Sequence, residues 1–267
     1  MRITDPEGTD FSYTLFEEYY DPNYYKDSGF LPMFGEKTLL AHLLASPTPP
    51  YMPDKLDCEG IIAGSTCHFS CPYPTVSAHI EGGKLVRVDG GGKYGDVWRE
   101  MLEGTKDIHY PGHPGPGLFY HWEAAIGTNP KMIRPSNAFM LSGCGTTFER
   151  LRSGIIHMGI GSAPRSKSEL WAAENGLPYG HLHIHLLHCT MKIKAKDGKE
   201  YTVIDNGHLT SLDDPAVIAI AEKHGDAGAL LKEDWDAPMP GITCPGDYQK
   251  DYAPNPLKWL RENTNVR

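Results

Sequence analysis

Eleven residues, Gly180-His181-Leu182-His183-Ile184-His185-Leu186-Leu187-His188-Cys189-Thr190, constrain the chain more than any other stretch. They place four of its thirteen histidines within eight residues, alternating with leucine and isoleucine. A strand sends alternate side chains to opposite faces. As a strand, the run projects His181, His183 and His185 together, while Leu182, Ile184 and Leu186 point the other way. Neutral imidazole is the commonest protein ligand for divalent transition metals, and two histidines two apart on a strand can reach one ion. The competing reading is a strand with one solvated histidine face and no metal. Apolar residues bound the run on both sides and weigh against it, because a buried histidine cluster needs partners.

At 267 residues the chain can form one large domain or two small ones around a real core. Its net charge of −9, with no run of Lys or Arg, argues against nucleic acid and against an anionic membrane surface. A small-molecule substrate, neutral or basic, fits better. No segment approaches eighteen consecutive apolar residues and the first residues do not open a signal peptide, so a cytoplasmic protein is expected. Reduced thiols are then the better reading of the six cysteines. Cys67 and Cys71, with His68 between them, are half of a zinc-site pattern that lacks a second pair.

Strands are expected over 58–66, over His79 to Gly90 with a Gly82-Gly83 turn, around Ile155 to Gly161, and at 191–195 and 200–205 about Lys196-Asp197-Gly198. Helical spacing covers 94–103, 215–223 and 257–262. The fold class is therefore α+β or mixed α/β, a mixed β-sheet domain with helices. Residues 1–230 read as a metal-binding catalytic domain, and 231–267, rich in Pro and aromatics, as an arm packing on that domain or on a partner subunit. Within His121-Trp122-Glu123-Ala124-Ala125-Ile126-Gly127 a carboxylate is flanked by apolar residues. Buried carboxylates are rare unless paired or bound to metal, so Glu123 is a ligand or half of a salt bridge. Tyr120 and Trp122 beside it are candidates to stack on an aromatic substrate, although core packing is their commoner fate.

The order and spacing of four short motifs resemble the thermophilic aminopeptidase family (aminopeptidases T and S) and its relative, 2,5-dihydroxypyridine 5,6-dioxygenase. The motifs are His42-Leu43-Leu44-Ala45-Ser46-Pro47, Glu123-Ala124-Ala125-Ile126-Gly127, His157-Met158-Gly159-Ile160-Gly161 and His183-Ile184-His185. The similarity runs from the Gly8-Thr9-Asp10 turn to about Gly207 and corresponds to the catalytic C-terminal part of those enzymes. The resemblance implies their catalytic-domain fold and a homodimer or larger homo-oligomer, with either a second subunit in place of their N-terminal domain or a domain that stands alone with a more open site. It also implies metal ligands at the motif positions.

Two departures redirect that expectation. His42 stands where the aminopeptidases carry a bridging glutamate, and an imidazole does not bridge two cations unless deprotonated. Pro164 stands where they carry a catalytic tyrosine. What remains is Glu123, His183 and His185, two histidines and a carboxylate, the ligand composition of non-haem iron(II) oxygenases. The expected function is a mononuclear iron(II) dioxygenase that cleaves a hydroxylated aromatic or N-heterocyclic ring, as in aromatic compound catabolism. His157 and His42 would act as acid or base, and His181, on the same face, would contact substrate or substitute as a ligand. The alternatives are a metal-dependent hydrolase, an aminopeptidase or amidase holding one or two Zn(2+), Co(2+) or Mn(2+) ions, and a non-catalytic metal-binding subunit.

Overall fold

The structure is a computed structural model that describes residues 1–16, 42–44, 56–68, 71–132, 149–162, 167–233 and 238–263. In chain order its strands begin with β1 (Arg2–Thr4), β2 (Asp10–Ser12), β3 (His42–Leu44), β4 (Glu59–Gly64), β5 (Val76–Glu81) and β6 (Lys84–Gly90). They continue with β7 (His121–Gly127), β8 (Ile156–Gly161), β9 (His181–Leu186), β10 (Thr190–Lys194), β11 (Glu200–Asp205) and β12 (His208–Leu209). Alternation explains β5, which buries Val76, Ala78 and Ile80 and leaves Ser77, His79 and Glu81 partly or wholly wet. Gly82 and Gly83, both at positive φ, reverse the chain into β6.

The strands form two sheets, ordered β12-β11-β10-β1-β2-β4-β5-β6 and β3-β7-β8-β9. Their pairings are antiparallel throughout. The fold is α+β, as the sequence leads one to expect. Helix α1 (Gly92–Thr105) buries Trp98. The shorter α2 (Lys167–Glu174), α3 (Pro215–Ala221), α4 (Ala227–Leu231) and α5 (Pro256–Asn263) are the other α-helices among the described residues. Asp214 and Asp226 cap α3 and α4, accepting from Ala216 N and Ala229 N. No helix among the described residues is long and apolar enough to cross a membrane.

What matters for function is how the sheets join. In the larger sheet many side chains alternate between core and solvent, whereas β7 and β8 are buried along their whole length. Phe11 of β2 meets His121 of β7 with ring centroids 4.8 Å apart. Backbone hydrogen bonds fasten the sheets at two more points: His121 N donates to Gly83 O at 2.8 Å, and His185 N to Thr66 O at 2.9 Å. The second clamp brings the segment after β4, with His68, up to β9. Gly64 permits it, since a Cβ there would lie 2.6 Å from Ile184 Cγ2.

Residues beyond α4 return to the same body. Met239, Tyr248, Tyr252, Ala253 and Leu260 bury Ile155 and Leu187 in a second small core, and Ala253 O accepts from Thr75 N at 3.0 Å.

Candidate metal centre

The register of β7, β8 and β9 builds the site before any side chain is considered. Glu123 is opposite Gly159, which is opposite His183; Ala125 is opposite His157, which is opposite His185; Gly161 is opposite His181. Directly paired residues share a sheet face, so Glu123, His157, His181, His183 and His185 lie on one face with Gly159 in their midst. A Cβ on Gly159 would sit 2.1 Å from His181 Nε2 and 2.7 Å from Glu123 Oε2. The absent side chain is what gives the polar tips room to converge.

A bulge sets the phase of β7. His121 pairs with Ile160 and Glu123 with Gly159, which leaves Trp122 as an extra residue on that strand. Strict alternation would put residues 121 and 123 on the same face. Instead His121 packs against Phe11 and Tyr13, Glu123 turns to the histidines, and the Trp122 ring lies 4.7 Å from that of His181.

Glu123 Oε2 lies 3.2 Å from His181 Nε2, 3.4 Å from His157 Nε2 and 3.6 Å from His183 Nε2. None of these approaches is a hydrogen bond: both Glu123 oxygens and both His181 nitrogens are buried without a hydrogen-bond partner among the described residues. Donor atoms bound to one cation at about 2.1 Å lie roughly 3.0 to 3.4 Å apart, which the first two separations match and the third slightly exceeds. Two groups of potential ligands result, each with its atoms within 4.8 Å of one another: Glu123, His181 and His183 in one, and His68, His157 and His185 in the other.

Electrostatics fit a dication. Burial lowers the His157 and His183 imidazoles well below their ordinary value and so favours the neutral, ligating form. Burial alone would raise the Glu123 carboxyl, but His157 first, then His181 and His183, hold it well below the usual carboxylate range. The first group, one carboxylate and two imidazoles, is a donor set suited to a divalent transition metal.

The structure distributes the sequence candidates unevenly. His181 stands beside Glu123 and His183, while His185 falls into the second group, its Nε2 3.0 Å from His68 Nδ1. His157 bridges the two, close to Glu123 and with its ring 4.3 Å from that of His183. Tyr120 packs toward His113 and Lys84. The His42 side chain lies outside the described residues; its backbone pairs with Gly127.

Two neighbours escape sequence reasoning. His68 stacks on His183 at 3.8 Å; its only signal was the Cys67-His68 juxtaposition, and no potential ligand group among the described residues includes a cysteine. Arg150 sits in a single 3-10 turn, Glu149–Leu151, held against the end of β7 by Asn129 N donating to Leu151 O. Its Nη1 is 3.3 Å from His68 Nε2.

Fold and site thus define an α+β domain with a buried histidine–carboxylate centre on one sheet face. Among solved structures, the chain is similar to wild-type AmpT (aminopeptidase T) from Thermus thermophilus, at 16% identity and a TM-score of 0.37 over 58% of this chain and 37% of that one. It is also similar to 2,5-dihydroxypyridine dioxygenase from Pseudomonas putida KT2440, at 12% identity and a TM-score of 0.46 over 78% of this chain and 54% of that one. The chain spans about half or less of the length of these structures. No protein-family model matches it, and no curated protein does.

Proposed function

We propose that this chain is a metal-dependent enzyme in which Glu123, His181 and His183 hold one divalent cation, and that its chemistry is the iron(II)-dependent opening of a hydroxylated aromatic or N-heterocyclic ring. The observation that carries the reading is the convergence of one carboxylate and two imidazoles over the space left by Gly159, with the Glu123 and His181 polar atoms buried and without a hydrogen-bond partner among the described residues. Two histidines and a carboxylate leave the remaining positions of the cation open for substrate and dioxygen. When bound, the cation supplies the charge that ionises a ring hydroxyl and, as iron(II), the redox chemistry of dioxygen. His157 Nε2, kept neutral by burial, is placed to accept the hydroxyl proton. Trp122 walls the side next to His181 and helps exclude water.

The second reading is a two-ion hydrolase of the aminopeptidase or amidase kind, which the further donor group His68, His157 and His185 favours. Against it, the Arg150 guanidinium approaches His68 to 3.3 Å, and a second dication there would face that charge at close range in a buried setting. Protein purified without oxygen decides between them. The expected result is one iron per chain and oxygen uptake with dihydroxylated pyridines or benzenes that a chelator abolishes. Two zinc ions per chain with hydrolysis of an aminoacyl amide would establish the second reading, and bound metal without either activity would leave a non-catalytic subunit.

A further inference from the structure

Among the described residues, Arg150 is the one charged side chain at the centre that neither reading uses. Arg2, Arg87 and Arg99 each meet an aspartate at the surface, at 2.8, 3.0 and 2.7 Å. Arg150 is more enclosed, and its Nε is buried without a hydrogen-bond partner among the described residues. Its one close polar contact there is the neutral ring of His68. Burying part of a guanidinium with an imidazole as its one hydrogen-bond partner among the described residues is costly, and a guanidinium is the side chain best shaped to receive a carboxylate through two parallel N–H bonds.

The contact also fixes the role of His68. Arg150 has only protons to offer, so His68 Nε2 accepts; the ring proton is then on Nδ1, which donates to His185 Nε2 at 3.0 Å. His68 in that state is a spacer between the guanidinium and the histidine face, stacked on His183 at 3.8 Å. The guanidinium thus stands one imidazole away from a ligand of the proposed cation, about the width of a small ring.

We infer that Arg150, steadied by His68, is a subsite for a carboxylate carried on the substrate ring, so that the compound bound here is a hydroxylated ring acid and not a neutral diol. This rests on the metal-centre reading for where the ring sits, but not for the anion contact itself. It also revises the expectation from overall charge of a neutral or basic substrate: the local charges select, whatever the net −9 of the chain.

Calorimetry with two probes that differ by one carboxylate, 2,5-dihydroxybenzoate and 1,4-dihydroxybenzene, tests the subsite on the purified protein and on protein stripped by a chelator. The expected result is an affinity at least about tenfold higher for the benzoate, lost in Arg150→Gln and partly kept in Arg150→Lys, with diol binding unchanged in both. Equal affinity of the wild-type protein for the two probes overturns the inference without any variant, as does a loss in Arg150→Gln that strikes both probes alike while the melting temperature holds. The preference persisting in protein that takes up no metal would sink the metal reading and leave the subsite standing; metal uptake with no preference would do the reverse.

Discussion

Glu7 and Glu123 are both buried carboxylates, and they are held in opposite ways. Glu7 Oε1 accepts from Ser65 Oγ and from the Tyr248 hydroxyl, each at 2.6 Å, and its Oε2 accepts from Ser65 N at 3.2 Å. The Tyr248 hydroxyl also meets Thr75 Oγ1 at 2.6 Å, so the carboxylate joins the first strands to the returning tail. Glu123 has three imidazole nitrogens as near neighbours and a hydrogen bond to none of them. Burial, and then the charge of Asp5, push Glu7 up to about 8, whereas imidazoles pull Glu123 down. Inaccessibility alone does not mark a functional acid. Glu7 has its lone pairs occupied by donors, whereas neither Glu123 oxygen has a hydrogen-bond partner among the described residues.

If that contrast is sound, the two glutamates fail differently when changed. The largest effect is expected on metal uptake: Glu123→Ala removes one of three protein ligands and should weaken divalent-metal affinity about a thousandfold, near 4 kcal/mol, in competition with a chromogenic chelator. Glu7→Ala should leave metal affinity unchanged and instead destabilise the fold by about 3 kcal/mol in denaturant titrations, because Ser65 and Tyr248 lose their acceptor. A metal defect in Glu7→Ala, or none in Glu123→Ala, would erase the distinction.

The acidic pair at the first strands adds a pH signature. Asp5 is raised to about 6, chiefly by burial, and Glu7 to about 8. The folded state therefore keeps protons that the unfolded chain, at ordinary values of 3.8 and 4.5, has released. The contribution of this pair to stability is highest below the unfolded values and falls as pH rises from about 4 toward 8. The slope is at most about 1.4 kcal/mol per pH unit for each proton. Glu7→Gln should flatten this fall, and an unaltered slope would assign it elsewhere. Smallest is the effect of Glu123→Gln in metal-free protein. The imidazoles that hold this carboxyl low favour its charged form in the fold, so neutralising it should lower stability at pH 7 by about 1 kcal/mol, and a clear gain would show that the charge is uncompensated.

Much of this centre is legible from local pattern. Period-two alternation in 181–186 puts three imidazoles on one face, and β9 presents them so. A carboxylate in an apolar run identifies Glu123, which is buried in the middle of β7. Alternation is silent, however, on which residues of different strands meet. That depends first on register, which sets Glu123 level with His183, and then on side-chain direction, which groups His181 and not His185 with them. His68 arrives through a backbone clamp between sheets, from 117 positions away in the chain relative to His185. Arg150 comes from a turn with no periodicity to betray it. Both belong to irregular backbone, where side-chain direction follows from tertiary hydrogen bonds and not from a repeat.

The extra residue at Trp122 has a consequence for anyone comparing this chain with others. Upstream of it, odd-numbered positions of β7 belong to the oily interior between the sheets; downstream, they belong to the ionic pocket. A comparison that slides β7 by one place to close a gap would set Trp122 where the acid belongs and credit the wrong side chain with chemistry. Strand length, as much as residue identity, tells where the reacting face begins.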